Sequence, residues 1–246
     1  MVIVPQSIEE AIDQAKEATK ASLAEGCGRV QVELVIPEIA LQAQAFAFSF
    51  ATIFEEYGSG LRILFPDTGA AALARRDWGE TVFKISDLGS NRTPIDRKIS
   101  PEDRLFLVVC PSAIEVNLVE NLCNLAGDRP VVLLIPQLED VSIVGIGYAA
   151  RQLRERFLST LESCYYFRPL EGAAVLRVFP SPWQVFRQKE DGYELVAEEA
   201  QKPMGEALER ILNPQTSSPT TDLDTPTAKK PGLLGNLQQF LRALSQ

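Results

Sequence analysis

Four short apolar runs constrain this chain more than any other feature: RVQVELVIP from Arg29, LRILFP from Leu61, RLFLVVC from Arg104 and PVVLLIP from Pro130. Each has the length of a buried strand, and the residues between them carry helix periodicity or capping signals. Strands separated by helical segments imply parallel neighbours, because a parallel pair needs a crossover and the crossover covers a sheet face. The expected fold class is α/β: a three-layer, mostly parallel Rossmann-like sheet. The later runs 164–169, 173–179, 183–188 and 193–197 are joined by short turns, Glu190-Asp191-Gly192 among them, so the sheet is expected to end in an antiparallel extension.

The element boundaries follow from local chemistry. Ser7 with Glu10 three residues on is a capping box opening an amphipathic helix that runs to Gly26. Residues 39–57 have the length and alanine content of one long, largely buried helix ended by Gly58 and Gly60. Leu61 to Phe65 reads as a strand stopped by Pro66, and Asp67 or Thr68 caps an alanine-rich helix. Further expectations are a strand over 80–88, a polar loop over 91–101, a helix over 112–126 and a last helix from Pro203 to Leu212.

Composition excludes several functions. The formal charge of −9 and pI near 4.8 oppose nucleic acid as the main partner, since phosphate binding needs a concentrated basic surface. The chain has no histidine, which removes His-activated nucleophiles and histidine metal ligation together. Cys27, Cys110, Cys123 and Cys164 include no CxxC pair, so no metal or redox site is expected, and Cys110 and Cys164 read as core thiols. No cofactor is expected. Without a secretory pattern or an eighteen-residue apolar run, a cytoplasmic location is expected.

Two stretches are candidates for a ligand. Asp67, Thr68 and Gly69 stand where helix N–H groups and the helix dipole could hold an anion, although the Asp67 carboxylate would repel one. The same three residues spell the aspartic protease motif, but a single copy opening a helix does not suit that all-β chemistry. Gly145 and Gly147, with Ala150, fit the spacing of a dinucleotide-binding turn, and Glu171 follows at ribose-carboxylate distance in sequence. Together they support a nucleotide- or phosphate-ligand module or enzyme. Arg151, Arg154 and Arg156 read as a solvated helix face.

Beyond the α/β domain of residues 1–212, residues 213–231 are rich in Pro, Thr, Ser and Asp and read as a flexible linker. Residues 232–246 read as an amphipathic helix with Leu233, Leu234, Leu237, Phe240, Leu241 and Leu244 on one face. Such a tethered helix suits a docking peptide for a protein groove, a scaffold or shell, or a membrane interface, or it folds back on its own domain. With only Lys229, Lys230 and Arg242 basic, a protein groove is favoured over an anionic bilayer.

In order along the chain, SIEEAIDQAKEATKASLAEGCGRVQVELVIPE, FPDTGAAALARRDWG, GIGYAARQLRERFLSTLESCYYFRPL, FPSPWQVF and GYELVAEE resemble a domain of unknown function. It is shared by cyanobacterial proteins and chloroplast proteins of the Low-PSII-Accumulation type. The resemblance covers about residues 5–212 and includes Arg75, Arg76, Asp77, Trp78 and Trp183. It implies a non-enzymatic assembly protein assisting photosystem II biogenesis, with an inner antenna subunit or assembly factor as partner and peripheral thylakoid contact. It supplies no catalytic residues.

Overall fold

A computed structural model describes residues 3–90, 93–138 and 148–213. Among them, nine strands form one sheet in the order β3-β2-β4-β5-β1-β6-β7-β8-β9. The elements in chain order are α1 (Ile8–Ala24), β1 (Arg29–Leu34), α2 (Ala43–Ala51), β2 (Leu61–Phe65), α3 (Thr68–Trp78), β3 (Lys84–Asp87), β4 (Leu105–Val109), α4 (Val116–Ala126) and β5 (Val131–Leu134). They continue as α5 (Tyr148–Arg156), β6 (Glu162–Leu170), β7 (Ala173–Val178), β8 (Trp183–Lys189), β9 (Gly192–Glu199) and α6 (Gly205–Leu212). Pairing is parallel from β3 across to β6 and antiparallel from β6 to β9. The expected fold class is therefore observed, antiparallel extension included.

One face of the sheet, the front, is covered by α1, α2 and α3. Its core is a single apolar cluster reaching from Ile63 and Phe65 of β2 through Val30 and Val32 of β1 to Leu176 of β7 and Phe186 of β8. The back face carries two clusters. One packs α4 and α5 over β4 and β5 through Val119, Leu122, Leu153, Phe106 and Leu133. The other packs α6 over β6 to β8 through Leu208, Tyr166, Val175, Trp183 and Val185.

Local signals with a specific hydrogen bond behave as expected. The Glu10 N–H donates to Ser7 Oγ at 3.1 Å, while the Glu10 carboxylate accepts from the N–H of Gln6, one residue before the cap, at 2.7 Å. Asp67 Oδ1 accepts from the Ala70 N–H at 2.9 Å, and β2 and α3 fall where Pro66 and this cap place them.

Longer inferences needed correction. The single helix expected over 39–57 is three pieces: a 3-10 turn at Ile39–Gln42, then α2, then a 3-10 stretch at Thr52–Gly60. β-branched Thr52 and Ile53 weaken the helix there, and the Thr52 hydroxyl donates to the Ser49 carbonyl at 2.7 Å. The break turns Phe54 into the core. The strand expected over 80–88 shortens to Lys84–Asp87, because the Thr81 hydroxyl donates to the Phe83 carbonyl in a local turn and Val82 points to solvent. The helix expected from Ser112 starts at Val116, since Ser112 closes a turn onto Glu115. The last helix begins at Gly205, after extended Met204, with Pro203 buried outside it. Cys110, expected in the core, is half-buried at the left-handed end of β4, with φ +46°. No described helix is long and apolar enough to cross a membrane.

Candidate functional site

The chain leaves β2 toward β3 but leaves β4 toward β5, so the strand order switches direction between β2 and β4. In open α/β sheets the crevice at the carboxyl ends of such a pair is where ligands bind. Its lips here are Pro66 to Gly69 and Cys110 to Ser112. Cys110 and Ile135, at the ends of adjacent β4 and β5, both have φ near +50°, at +46° and +51°, strained for residues with a side chain.

The polar groups at this crevice are largely engaged with one another. The Asp67 carboxylate folds over the N-terminus of α3, and a Cβ added at Gly69 would sit 3.0 Å from Asp67 Oδ1, so a side chain there would push the carboxylate by a few tenths of an ångström. Thr68 Oγ1 donates to Asp87 Oδ2 at 3.3 Å. Asp87 Oδ1 accepts from the Gly89 N–H at 2.8 Å and pairs with Lys98. Burial pushes the Asp87 carboxyl up, but the Lys98 and Gly89 hydrogen bonds outweigh it and hold the group below its usual range. Asp87 is therefore an anion at neutral pH, not a proton acceptor poised near 7. On the opposite lip, Ser112 donates its hydroxyl and its N–H to Glu115 Oε2 at 2.6 and 2.9 Å. An incoming phosphate would meet two carboxylates at this end of β2 and β3. Asp67, Thr68 and Gly69 thus lie together as expected, while Gly145 and Gly147 and the six apolar residues 233–244 lie outside the described residues.

The thiols are not activated nucleophiles. Burial pushes Cys110 and Cys164 up to about 11 and Cys123 up to about 12. Among the described residues, no three Asp, Glu or Cys side chains are grouped to hold a metal ion.

Two other places stand out. The first is on the sheet itself. β1 turns Val30, Val32 and Leu34 to the front, and so turns Arg29, Gln31 and Glu33 to the back, in the middle of the sheet. Gln31 is in register with Leu133 of the α4 cluster and Glu33 with Tyr166 of the α6 cluster, so a polar strip separates the two back-face cores. Glu33 Oε2 accepts from Ser163 Oγ at 2.6 Å and Gln31 Nε2 at 3.3 Å, and Glu33 Oε1 accepts from Lys202 Nζ at 2.7 Å. Sequence reasoning passed over this strip. Its signal was present in the alternation R-V-Q-V-E, whose polar half is unusual for a strand with neighbours on both sides.

The second place is the surface between α2 and α3. Phe48, 45% exposed, lies 5.3 Å from Trp78 and 6.4 Å from Phe83 by ring centroids. Trp78 in turn lies 5.8 Å from buried Phe65 and 5.9 Å from Phe83, which fixes the outer rings on a rigid base. Gln44 Nε2 donates to Asp77 Oδ2 at 3.0 Å and ties the helices together. Leu73, one turn before Asp77, and Val82 are exposed nearby in sequence. Arg75 and Arg76 close α3 as exposed cations, Arg76 paired with Asp77 at 2.7 Å.

Against known families, a model described as a domain of unknown function, DUF1995, matches residues 5–210.

Proposed function

The chain belongs to the DUF1995 family of domains of unknown function, and from that premise we propose that it is a non-enzymatic assembly protein. It assists photosystem II biogenesis by binding an inner antenna subunit or an assembly factor near the thylakoid surface. The observation that carries this reading is the aromatic surface between α2 and α3, where exposed Phe48 packs on half-buried Trp78 and Phe83. Aromatic side chains on a rigid base, rimmed by arginines, have the composition of an interface core. Trp78 also falls within FPDTGAAALARRDWG, one of the stretches that carry the resemblance to the Low-PSII-Accumulation type. Residues 232–246, whose sequence has the spacing of an amphipathic helix, serve as a second, tethered contact.

Affinity purification of the full chain and of residues 1–213 from a photosynthetic cell extract, with partners identified by mass spectrometry, tests the proposal. Photosystem II subunits recovered with both forms support docking through the domain. Loss on truncation assigns the docking to the tail, to a photosystem subunit or to a scaffold or shell as the recovered partner dictates. Recovery of no photosystem subunit by either form overturns the reading.

The switch point between β2 and β4 supports a second reading by topology alone, a nucleotide- or phosphate-ligand module, against which the Asp67 and Asp87 carboxylates stand. Calorimetric titration with nucleotides and sugar phosphates would show heat under that reading, and its absence at high protein concentration rejects those ligands.

A further inference from the structure

The polar strip on the back face ends in an arrangement that neither reading uses. Lys202 lies in the irregular segment between β9 and α6. Its Nζ stands 4.1 Å from the centroid of the Tyr166 ring, 5.6 Å from that of Trp183 and 2.7 Å from Glu33 Oε1. The two rings meet at 5.0 Å and 64°, forming a corner. Two aromatic faces and a carboxylate around one ammonium are the elements of cation recognition by ring quadrupoles.

The walls and the occupant differ in how they are held. Glu33, Tyr166 and Trp183 come from β1, β6 and β8, inside the sheet, and Ser163 and Gln31 fix the Glu33 carboxylate from the side away from the cation. The neighbouring cation Arg177, 5.3 Å above Trp183, is balanced by Glu162 at 2.5 Å, which leaves Glu33 as counter-ion of the corner. The occupant comes from a segment without regular structure, with Gln201 and Met204 exposed on either side of it. Lys202, with Glu199, Gln201 and the α6 residues Ala207, Arg210 and Ile211, lines a cleft of about 490 Å3. The cage walls are set by the sheet and do not line that cleft, so Lys202 is the residue common to the two.

We propose that Glu33, Tyr166 and Trp183 form a recognition cage for a primary alkylammonium, the side chain of a lysine on a partner polypeptide, and that Lys202 fills it until that lysine displaces it. The present occupant defines the class: a butylammonium group in the place of the Lys202 side chain reproduces each contact its ammonium makes. Because displacement is required, the intact chain binds with an affinity reduced by the fraction of molecules in which Lys202 has left. The inference rests on the cage alone and stands or falls apart from the photosystem reading.

Chemical rescue tests it. In a Trp78→Phe background, so that Trp183 is the sole indole, Lys202→Ala should bind n-butylammonium with a change in Trp183 fluorescence at constant ionic strength. Affinity should be at least about tenfold above that of the chain retaining Lys202. 1-Butanol, the neutral analogue, should have no such effect, and Glu33→Gln combined with Lys202→Ala should abolish it. Choline binding tighter than n-butylammonium would reassign the site to a quaternary headgroup and overturn the lysine assignment. A second measurement uses the unaltered chain: n-butylammonium, compared with equal sodium, should raise labelling of Lys202 by an aldehyde followed by borohydride relative to that of exposed Lys20, the ratio cancelling the aldehyde that the free amine consumes. Equal responses to n-butylammonium and 1-butanol, or a Lys202 to Lys20 labelling ratio that does not rise, would overturn the proposal.

Discussion

The two faces of this sheet are built on opposite plans. On the front, one apolar cluster runs from β2 to β8 beneath α1, α2 and α3. On the back, the same strands carry two separate cores, and between them β1 presents Gln31 and Glu33. A continuous core specifies the fold but leaves no room for recognition, because every polar group placed in it must find a partner at once. The divided face carries charged and aromatic groups, which meet Lys202 from the irregular segment before α6. The difference arises within one six-residue strand, by the alternation of its side chains.

The sharpest way to break the comparison is to cut into each face. Phe50→Ala on the front, at a residue 1% exposed, should cost about 3–5 kcal/mol, read as a lowered denaturation midpoint. Asp103→Asn comes next. Asp103 is fully buried on the side chain and holds Arg62 at 2.6 Å and Lys84 at 3.0 Å, so neutralising it leaves Arg62 without a counter-charge and Lys84 with only exposed Glu102 at 3.8 Å, at about 3 kcal/mol. Burial pushes the Asp103 carboxyl up, but hydrogen bonds from Arg62, the Ser100 N–H and Lys84 prevail and hold it below the usual range. Such a group contributes its stability above the unfolded value of about 3.9 and loses it as pH falls through the lower folded value. The deficit of Asp103→Asn should therefore be full at neutral pH and close in acid, which urea titrations at several pH values would follow.

On the divided face the expected losses are smaller. Lys202→Gln removes a partly exposed cation from two rings and one carboxylate, and should cost about 1 kcal/mol. A loss as large as that of Phe50→Ala would show the polar strip to be a structural keystone and dissolve the contrast between the faces. On the outer side of the front helices, Phe48→Ser should change stability by under about 1 kcal/mol while removing the centre of the proposed interface.

What was legible in the sequence follows the range of the interactions involved. β2, α3 and the cap at Asp67 are fixed by Pro66, the Asp67 side chain and an alanine run, all within a dozen residues. The Ser7 cap and the antiparallel hairpins are equally local. The break in the 39–57 helix was not legible, because Phe54 leaves the helix for a core whose other walls are distant in sequence. At the α3 N-terminus the sequence argument that Asp67 opposes an anion agrees with the geometry, where that carboxylate already accepts from the helix. The cage was beyond reach for a plainer reason: Glu33 and Lys202 lie 169 residues apart, and no local pattern brings them together.

The most direct test of the central claim compares the full chain with its Phe48→Ser variant as bait in a solubilised thylakoid extract, with unfolding midpoints measured on both. The account predicts that the unaltered chain recovers an inner antenna subunit or photosystem II assembly factor, and that Phe48→Ser loses most of that recovery while keeping its midpoint. Equal recovery by the two would contradict the assignment of partner binding to the α2–α3 aromatic surface.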